Sequence, residues 1–139
     1  MKSIFVDTAA LIAIGNSRDA FHVRALQINQ ELRKSRRWLV TTSAILLEFG
    51  NAFSGIRLRP VAVKMIQAIR GSDRWNLVRL DDSFLDRGFQ KYRHVMDKEW
   101  GLVDCVSMVV AEDLGISQVF TTDHHFEQAG FEILLKNKG

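Results

Sequence analysis

Short runs of β-branched and aromatic residues alternate with longer apolar or amphipathic segments along the whole chain. Such runs predict strands at residues 3–6, 38–42, 75–80, 118–122 and 131–135. Apolar residues at helical spacing predict helices at residues 7–14, 19–35, 43–53, 60–71, 82–95, 102–114 and from 123 onward. Alternating strands and helices favour a parallel sheet covered on both faces. We therefore predict a three-layer α/β/α fold with a central parallel sheet of four to five strands.

Size and composition are those of an ordinary globular protein. The chain has 139 residues, of which 47% are hydrophobic and 25% are charged, so we predict one domain over residues 1–139. No uncharged apolar run approaches the about 18 residues that suggest a membrane span. The single cysteine, Cys105, has no partner for an internal disulfide, which fits a reducing compartment. We expect a cytoplasmic protein.

The formal net charge is only +3, but the charged residues are unevenly distributed. Residues 24–79 contain 11 Lys or Arg against 3 Asp or Glu, whereas residues 80–139 contain 6 against 11. A basic half joined to an acidic half suggests a surface for a polyanion beside a site that holds cations. Solvated helix faces explain the same charge pattern equally well.

Two acidic residues directly follow predicted strands. Asp7 comes at the end of the first strand and Asp123 at the end of the fourth. Parallel strands end at the same edge of a sheet, where ligands bind, so the two side chains are expected to be neighbours. The alternative for each residue is a helix N-cap, a role that Asp often fills.

Glu48 lies in an apolar helical segment, on the same face as Ile45, Phe49 and Ala52. An ionised carboxylate on a buried face is costly unless a cation compensates it or its pKa rises. We therefore expect a compensating partner for Glu48. The alternative is a side chain that reaches solvent from the edge of the apolar stripe.

Asp104 and Ser107 are the only polar side chains between Leu102 and Ala111, and their spacing places them on one face of a helix. The predicted helix is otherwise apolar all round, so it should be central in the fold. No Lys or Arg within it neutralises Asp104, whereas a bound metal ion would. The alternative is that an acid in the first turn complements the helix dipole.

A carboxylate cluster of this kind offers oxygen ligands, which suit Mg²⁺ or Mn²⁺ better than zinc. His124 and His125 follow Asp123 directly. Adjacent residues on a helix point in different directions, so the pair makes a poor metal clamp. We predict a surface or partner-facing role for both histidines, with a phosphate contact by one of them as the alternative.

Four segments of the sequence match the blocks of a known family. They are residues 4–11 (IFVDTAAL), Glu48 with Asn51, residues 101–107 (GLVDCVS) and residues 120–131 (FTTDHHFEQAGF). With these segments the chain resembles a PIN domain, and within that group the VapC toxins of VapBC toxin–antitoxin pairs. The resemblance spans the chain, and the last two segments are the more specific.

The resemblance implies a Mg²⁺- or Mn²⁺-dependent endoribonuclease, a cognate antitoxin and a homodimer. It implies that the catalytic and metal-binding residues are Asp7, Glu48, Asp104 and Asp123. As a hypothesis, the first three hold the principal ion, and Asp123 completes that shell or holds a second ion. Ser107 and Thr121 would orient the carboxylates. Asp97 matches a position where relatives often carry an acid, although a solvent-facing loop acid explains it equally well.

Seven basic residues would contact the RNA backbone, and they are Arg33, Lys34, Arg36, Arg37, Arg57, Arg59 and Lys64.

The sequence lacks the motifs that are typical of other enzyme classes. A dinucleotide-binding fold requires a glycine-rich turn after the first strand, where this chain has Asp7-Thr8-Ala9-Ala10. The remaining alternative is a PIN-fold module that binds RNA or a protein without cleaving it. Intact acids at all four positions favour the nuclease.

Overall fold

The computed structural model describes residues 2–136. Its strands are β1 (Ile4–Val6), β2 (Leu39–Thr42), β3 (Trp75–Val78), β4 (Gln118–Phe120) and β5 (Glu132–Ile133). Its helices are α1 (Thr8–Gly15), α2 (His22–Lys34), α3 (Ser43–Ala52), α4 (Arg59–Gly71), α5 (Asp82–His94), α6 (Leu102–Asp113) and α7 (His124–Gln128). Each element falls on a segment predicted to have the same type of structure, and the strands are shorter than predicted.

All five strands are parallel, in the order β3-β2-β1-β4-β5. The central strand β1 pairs with β2 through Ile4 and Leu39, and with β4 through Val6 and Phe120. The chain builds outward from β1 to β3 and then returns to the other side of β1 as β4. This reversal opens a crevice at the carboxyl ends of β1 and β4, where ligands bind in sheets of this type.

The predicted three-layer α/β/α arrangement is confirmed. Ile4 and Phe5 of β1 are fully buried, as expected for a parallel strand covered on both faces. In α6, every residue from Cys105 to Ala111 is buried, which agrees with a helix that is apolar all round. Within residues 2–136, no helix has the length and apolar character needed to cross a membrane.

Helices α5 and α6 pack closely at Gly88. A Cβ atom at this position would lie 3.0 Å from the Val106 Cα and would also collide with the Val106 side chain. The glycine therefore allows the two helix backbones to approach each other. Val106 is two residues after Asp104, so this contact fixes the start of α6 and with it the Asp104 backbone.

Candidate active site

Asp7 follows β1, and its carboxylate is buried at the carboxyl end of the sheet. The residue is only 5% exposed. It occupies the N-cap position of α1, but its side chain makes no capping hydrogen bond. Instead its Oδ2 accepts a 2.7 Å hydrogen bond from the Thr121 hydroxyl. The capping alternative for the Asp7 side chain is therefore wrong.

Burial raises the pKa of Asp7 from 3.8 to about 7, because desolvation disfavours the charged carboxylate. Hydrogen bonds from the Thr121 side chain and the Thr8 backbone act in the opposite direction, without cancelling this effect. The negative charges of Asp104 and Glu48 raise the pKa further. Asp7 therefore lies close enough to both carboxylates to be repelled by them.

Glu48 lies on α3 and is exposed to solvent. The expectation that it sits on the buried face is wrong: Ile45 and Phe49 are 0% exposed, whereas Glu48 lies at the edge of their stripe. Its Oε1 accepts a hydrogen bond from the Thr8 hydroxyl. Thr8 is the residue after Asp7, so it orients Glu48 toward the start of α1.

Asp104 lies in the first turn of α6. Its Oδ2 accepts a 3.1 Å hydrogen bond from the Gly101 backbone N–H, so the carboxylate does serve the start of the helix. The same oxygen lies 3.2 Å from His125 Nδ1. Asp104 can therefore accept a hydrogen bond at the start of α6 and also belong to the carboxylate cluster.

Asp123 caps α7, since its Oδ1 accepts a 2.9 Å hydrogen bond from the His125 backbone N–H. Its own backbone N–H donates to Thr121 Oγ1 at 3.0 Å. The Thr121 hydroxyl thus accepts from Asp123 and donates to Asp7. This single side chain couples the strand end of β4 to that of β1.

His125 lies between two of the carboxylates. Its Nδ1 is 3.2 Å from Asp104 Oδ2 and 3.2 Å from Asp123 Oδ1. The predicted surface role is therefore wrong for His125, whose side chain is 21% exposed, but it agrees with His124, whose side chain is 70% exposed. Asp123 and both histidines offer possible ligand atoms within 4.8 Å of one another.

Thr8, Gly101 and His125 were not identified as site residues from the sequence. Thr8 carries a signal, because it is a hydroxyl residue placed directly after Asp7 in an otherwise apolar helix. The sequence signal for His125 is weaker. It lies two positions after an Asp N-cap, and a residue at this position donates its backbone N–H to the cap. Its ring is thereby held near the cap.

The negative charge of the cluster is not balanced by Lys or Arg side chains. Among residues 2–136, none of the four carboxylates has a Lys or Arg nitrogen within 4.0 Å. Ion pairs form elsewhere, such as Arg87 with Asp113 at 2.6 Å. Asp97 is also exposed and pairs with Lys98 at 3.0 Å, so the structure does not join it to the cluster.

Ser107 follows Asp104 by one turn of α6 and is fully buried. Within the described residues, its Oγ has no hydrogen-bond partner. A buried hydroxyl without a partner on the same helix face as a carboxylate fits a site that a cation and its water ligands complete. The oxygen-rich donor set fits a hard cation such as Mg²⁺ or Mn²⁺.

The structure does not place the first group of predicted RNA-binding residues near these carboxylates. Arg37 donates to Lys2 O at 3.4 Å and to Gln118 Oε1 at 2.6 Å, which puts it where strands β1 and β4 begin. Arg33 and Arg36 line a cleft with it, and Lys34 ends α2. The acids lie at the opposite edge, about 10 Å away along a three-residue strand.

The second group lies after α3. Arg57 is in the turn that joins α3 to α4, while Arg59 and Lys64 are in α4 itself. The Arg59 guanidinium donates to Ser54 O at 2.6 Å, which ties it to this turn. Arg57 and Lys64 are exposed.

Comparisons with known proteins agree with this arrangement. A family model described as PIN domain matches residues 4–132. Among solved structures, the chain is similar to VapC20 of Mycobacterium tuberculosis, a toxin that cleaves the sarcin–ricin loop. The TM-score is 0.80 with 26% sequence identity, over 92% of this chain and 95% of that one. No curated protein gives a significant match to the sequence.

Proposed function

This chain belongs to the PIN domain family, and we propose that it is a divalent-metal-dependent endoribonuclease that hydrolyses RNA phosphodiester bonds. The similarity to VapC20, a toxin that cleaves the sarcin–ricin loop, supports this class of activity. We further propose that it is the toxin of a type II toxin–antitoxin pair.

The observation that carries the proposal is a set of carboxylates connected by hydrogen bonds but not neutralised by Lys or Arg. Thr121 connects Asp7 to the Asp123 backbone, and His125 lies between Asp123 and Asp104. Glu48 joins through Thr8. A purely structural cluster would place a Lys or Arg among such charges, whereas a cation site leaves that place to the ion.

Asp7, Glu48, Asp104 and Asp123 would hold the cation, with Asp123 completing the shell of one ion or holding a second. When bound, a divalent cation supplies a water that is nucleophilic near neutral pH and offsets the charge that develops on the phosphate. The oxygen donors of the four side chains and the unpartnered Ser107 hydroxyl support a Mg²⁺ or Mn²⁺ site.

Neighbouring side chains orient the carboxylates, and burial determines whether Asp7 carries a proton. Thr121 fixes the orientation of Asp7, and Thr8 fixes that of Glu48. Because the pKa of Asp7 is about 7, this carboxyl carries a proton in a substantial part of the molecules near neutral pH. A cation must displace that proton, so metal binding and deprotonation of Asp7 are coupled.

Protein partners are the second part of the proposal. The family resemblance suggests a homodimer and a cognate antitoxin, acting in the cytoplasm. Leu47, Leu85 and Leu102 are 69%, 39% and 38% exposed, and they surround a groove of about 290 Å³ that also reaches Glu48. Contiguous apolar surface of this kind supports a protein-binding role.

Two groups of basic side chains would bind RNA, one nearer to the carboxylates and one at the far edge of the sheet. Arg57, Arg59 and Lys64 follow the helix that carries Glu48, and we propose that they contact backbone phosphates. RNA that extends across the far edge of the sheet would contact the other four, Arg33, Lys34, Arg36 and Arg37. Contacts of this type position the RNA without selecting its sequence.

Purified protein incubated with RNA and Mn²⁺, with and without a chelator, tests the function. Asp7→Asn keeps the shape of the side chain but removes its charge, so we expect cleavage to be lost while the fold survives. Asp86→Asn is the matched control, because Asp86 is exposed on α5. If the Asp7 variant cleaves at the parent rate, the site is wrong. If the parent binds RNA but never cleaves it in Mn²⁺, the non-catalytic module is correct.

A further inference from the structure

The ring of His125 occupies the space between two carboxylates that come from different elements. Asp104 belongs to α6, whereas Asp123 precedes α7. His125 Nδ1 lies 3.2 Å from one oxygen of each. The ring forms its hydrogen bond with Asp104, and because an ionised carboxylate only accepts hydrogen bonds, Nδ1 is the donor in this contact.

The ring is itself held in position from two sides. The His125 backbone N–H donates to Asp123 Oδ1 at 2.9 Å, while the ring Nδ1 forms its hydrogen bond with Asp104 Oδ2, so one residue contacts both carboxylates. The next residue, Phe126, is 0% exposed and anchors the short helix α7 in the core. His125 therefore cannot move without disturbing the carboxylate it contacts.

We propose that His125 is a positioning residue that sets the separation of Asp104 and Asp123. Without the Nδ1 donor, two like charges would face each other across the gap and would separate. Mg²⁺ and Mn²⁺ sites require carboxylate oxygens at well-defined distances, so a wider gap weakens the site. The inference rests on the proposed function, because it concerns two of the four carboxylates assigned to the cation.

Two amide substitutions separate this role from a general structural one. In Asn the side-chain nitrogen is bonded to Cγ, as Nδ1 is in His, so His125→Asn restores a donor near the Nδ1 position. In Gln the nitrogen is one atom further out, where Nε2 lies in His. His125→Gln therefore keeps a polar side chain but moves its donor away. His94→Gln is the matched control, because His94 is exposed at the end of α5 and lies outside the carboxylate cluster.

Titration calorimetry with Mn²⁺ alone, on the full-length protein, measures the site independently of RNA cleavage. We expect His125→Gln to weaken Mn²⁺ affinity by about 10-fold and to lower kcat, with KM for RNA unchanged. His125→Asn and His94→Gln should stay close to the parent in both measurements. Circular dichroism establishes that each variant is folded.

The inference is overturned if His125→Gln binds Mn²⁺ and cleaves RNA as the parent does. It is also overturned if His125→Asn is as defective as His125→Gln, because the position of the donor then makes no difference. In both cases the parent still binds Mn²⁺ and cleaves RNA, and the proposed function stands. A parent that neither binds Mn²⁺ nor cleaves RNA overturns the proposed function and this inference together.

Discussion

The Thr121 hydroxyl donates a 2.7 Å hydrogen bond to Asp7 Oδ2, across 114 positions of sequence. The two residues meet because β1 and β4 pair in parallel and end side by side. The same hydroxyl accepts the Asp123 backbone N–H. Thr121 therefore controls both the orientation of Asp7 and the start of α7.

Thr121→Val, which keeps the shape of the side chain but removes the hydroxyl, should reduce cleavage and change its pH dependence. The Thr121 hydrogen bond lowers the pKa of Asp7, so its loss raises that pKa and moves the acidic limb of the pH–rate profile to higher pH. Thr121→Ser keeps the hydroxyl and should keep the parent profile. An unchanged profile in the Val variant would show that Thr121 does not tune Asp7.

The stability of the metal-free protein should fall as the pH rises toward neutrality. The pKa of Asp7 is raised from 3.8 to about 7 on folding, so between these values the folded state binds more protons than the unfolded state. Stability then decreases with pH across this window and levels off above pH 7. Thermal melts in chelator from pH 5 to 8 measure it, and Asp7→Asn should show a flatter dependence. An equally steep dependence in the variant would assign the effect to another group.

The meeting of Asp7 with the Asp123 segment could be predicted from the sequence, because each follows a strand and parallel strands end at one edge. The environment of Glu48 could not. Periodicity identifies which residues share a face of α3, but the packing of α3 against α1 decides where the buried stripe ends.

The position of His125 could not be predicted from the sequence either. Helix α7 has only five residues, and periodicity gives no signal over a single turn. The position of the His125 ring depends on how the chain folds back onto the Asp123 cap. The location of the basic residues around Arg37 could not be predicted from the sequence for a similar reason. Charge counted along the chain cannot tell which edge of a parallel sheet a loop occupies, and that loop lies where the strands begin.

Mn²⁺ should raise the melting temperature of the protein. A ligand that binds only the folded state stabilises it by about 2.7 kcal/mol when its free concentration is 100 times Kd. Binding also relieves the repulsion of Asp7 by Asp104 and Glu48. Melts in chelator and in millimolar Mn²⁺ give the shift, and Asp7→Asn should shrink it. No shift in the parent would favour the non-catalytic module.

Two glycines in helices should respond to alanine in opposite ways. Gly88→Ala should destabilise the protein by about 1–3 kcal/mol, because the added methyl meets the Val106 backbone at the α5–α6 contact. Gly50 lies in α3 with no atom within 4 Å of an added Cβ, so Gly50→Ala should stabilise by about 0.5–1 kcal/mol. Chemical denaturation measures both. Equal effects would contradict the close packing of α5 against α6 at Gly88.

Glu48 separates a structural from a functional interpretation most sharply, because it is exposed and yet accepts the Thr8 hydroxyl. Glu48→Gln keeps an oxygen that can accept this hydrogen bond and removes only the charge. If Glu48 is an ordinary surface residue, the variant should retain both cleavage and stability. Glu31→Gln, at an exposed position on α2, is the matched control.

If Glu48 is instead a cation ligand, affinity for Mn²⁺ and cleavage should fall together in Glu48→Gln. Metal-free stability should stay level or rise, within about 0.5 kcal/mol for an exposed residue, because the charge of Glu48 contributes to raising the pKa of Asp7. Affinity for Mn²⁺ and cleavage therefore fall while metal-free stability does not. Thermal melts with chelator and with Mn²⁺, beside a ribonuclease assay, measure both. A variant that loses metal-free stability but cleaves at the parent rate would return Glu48 to a structural role.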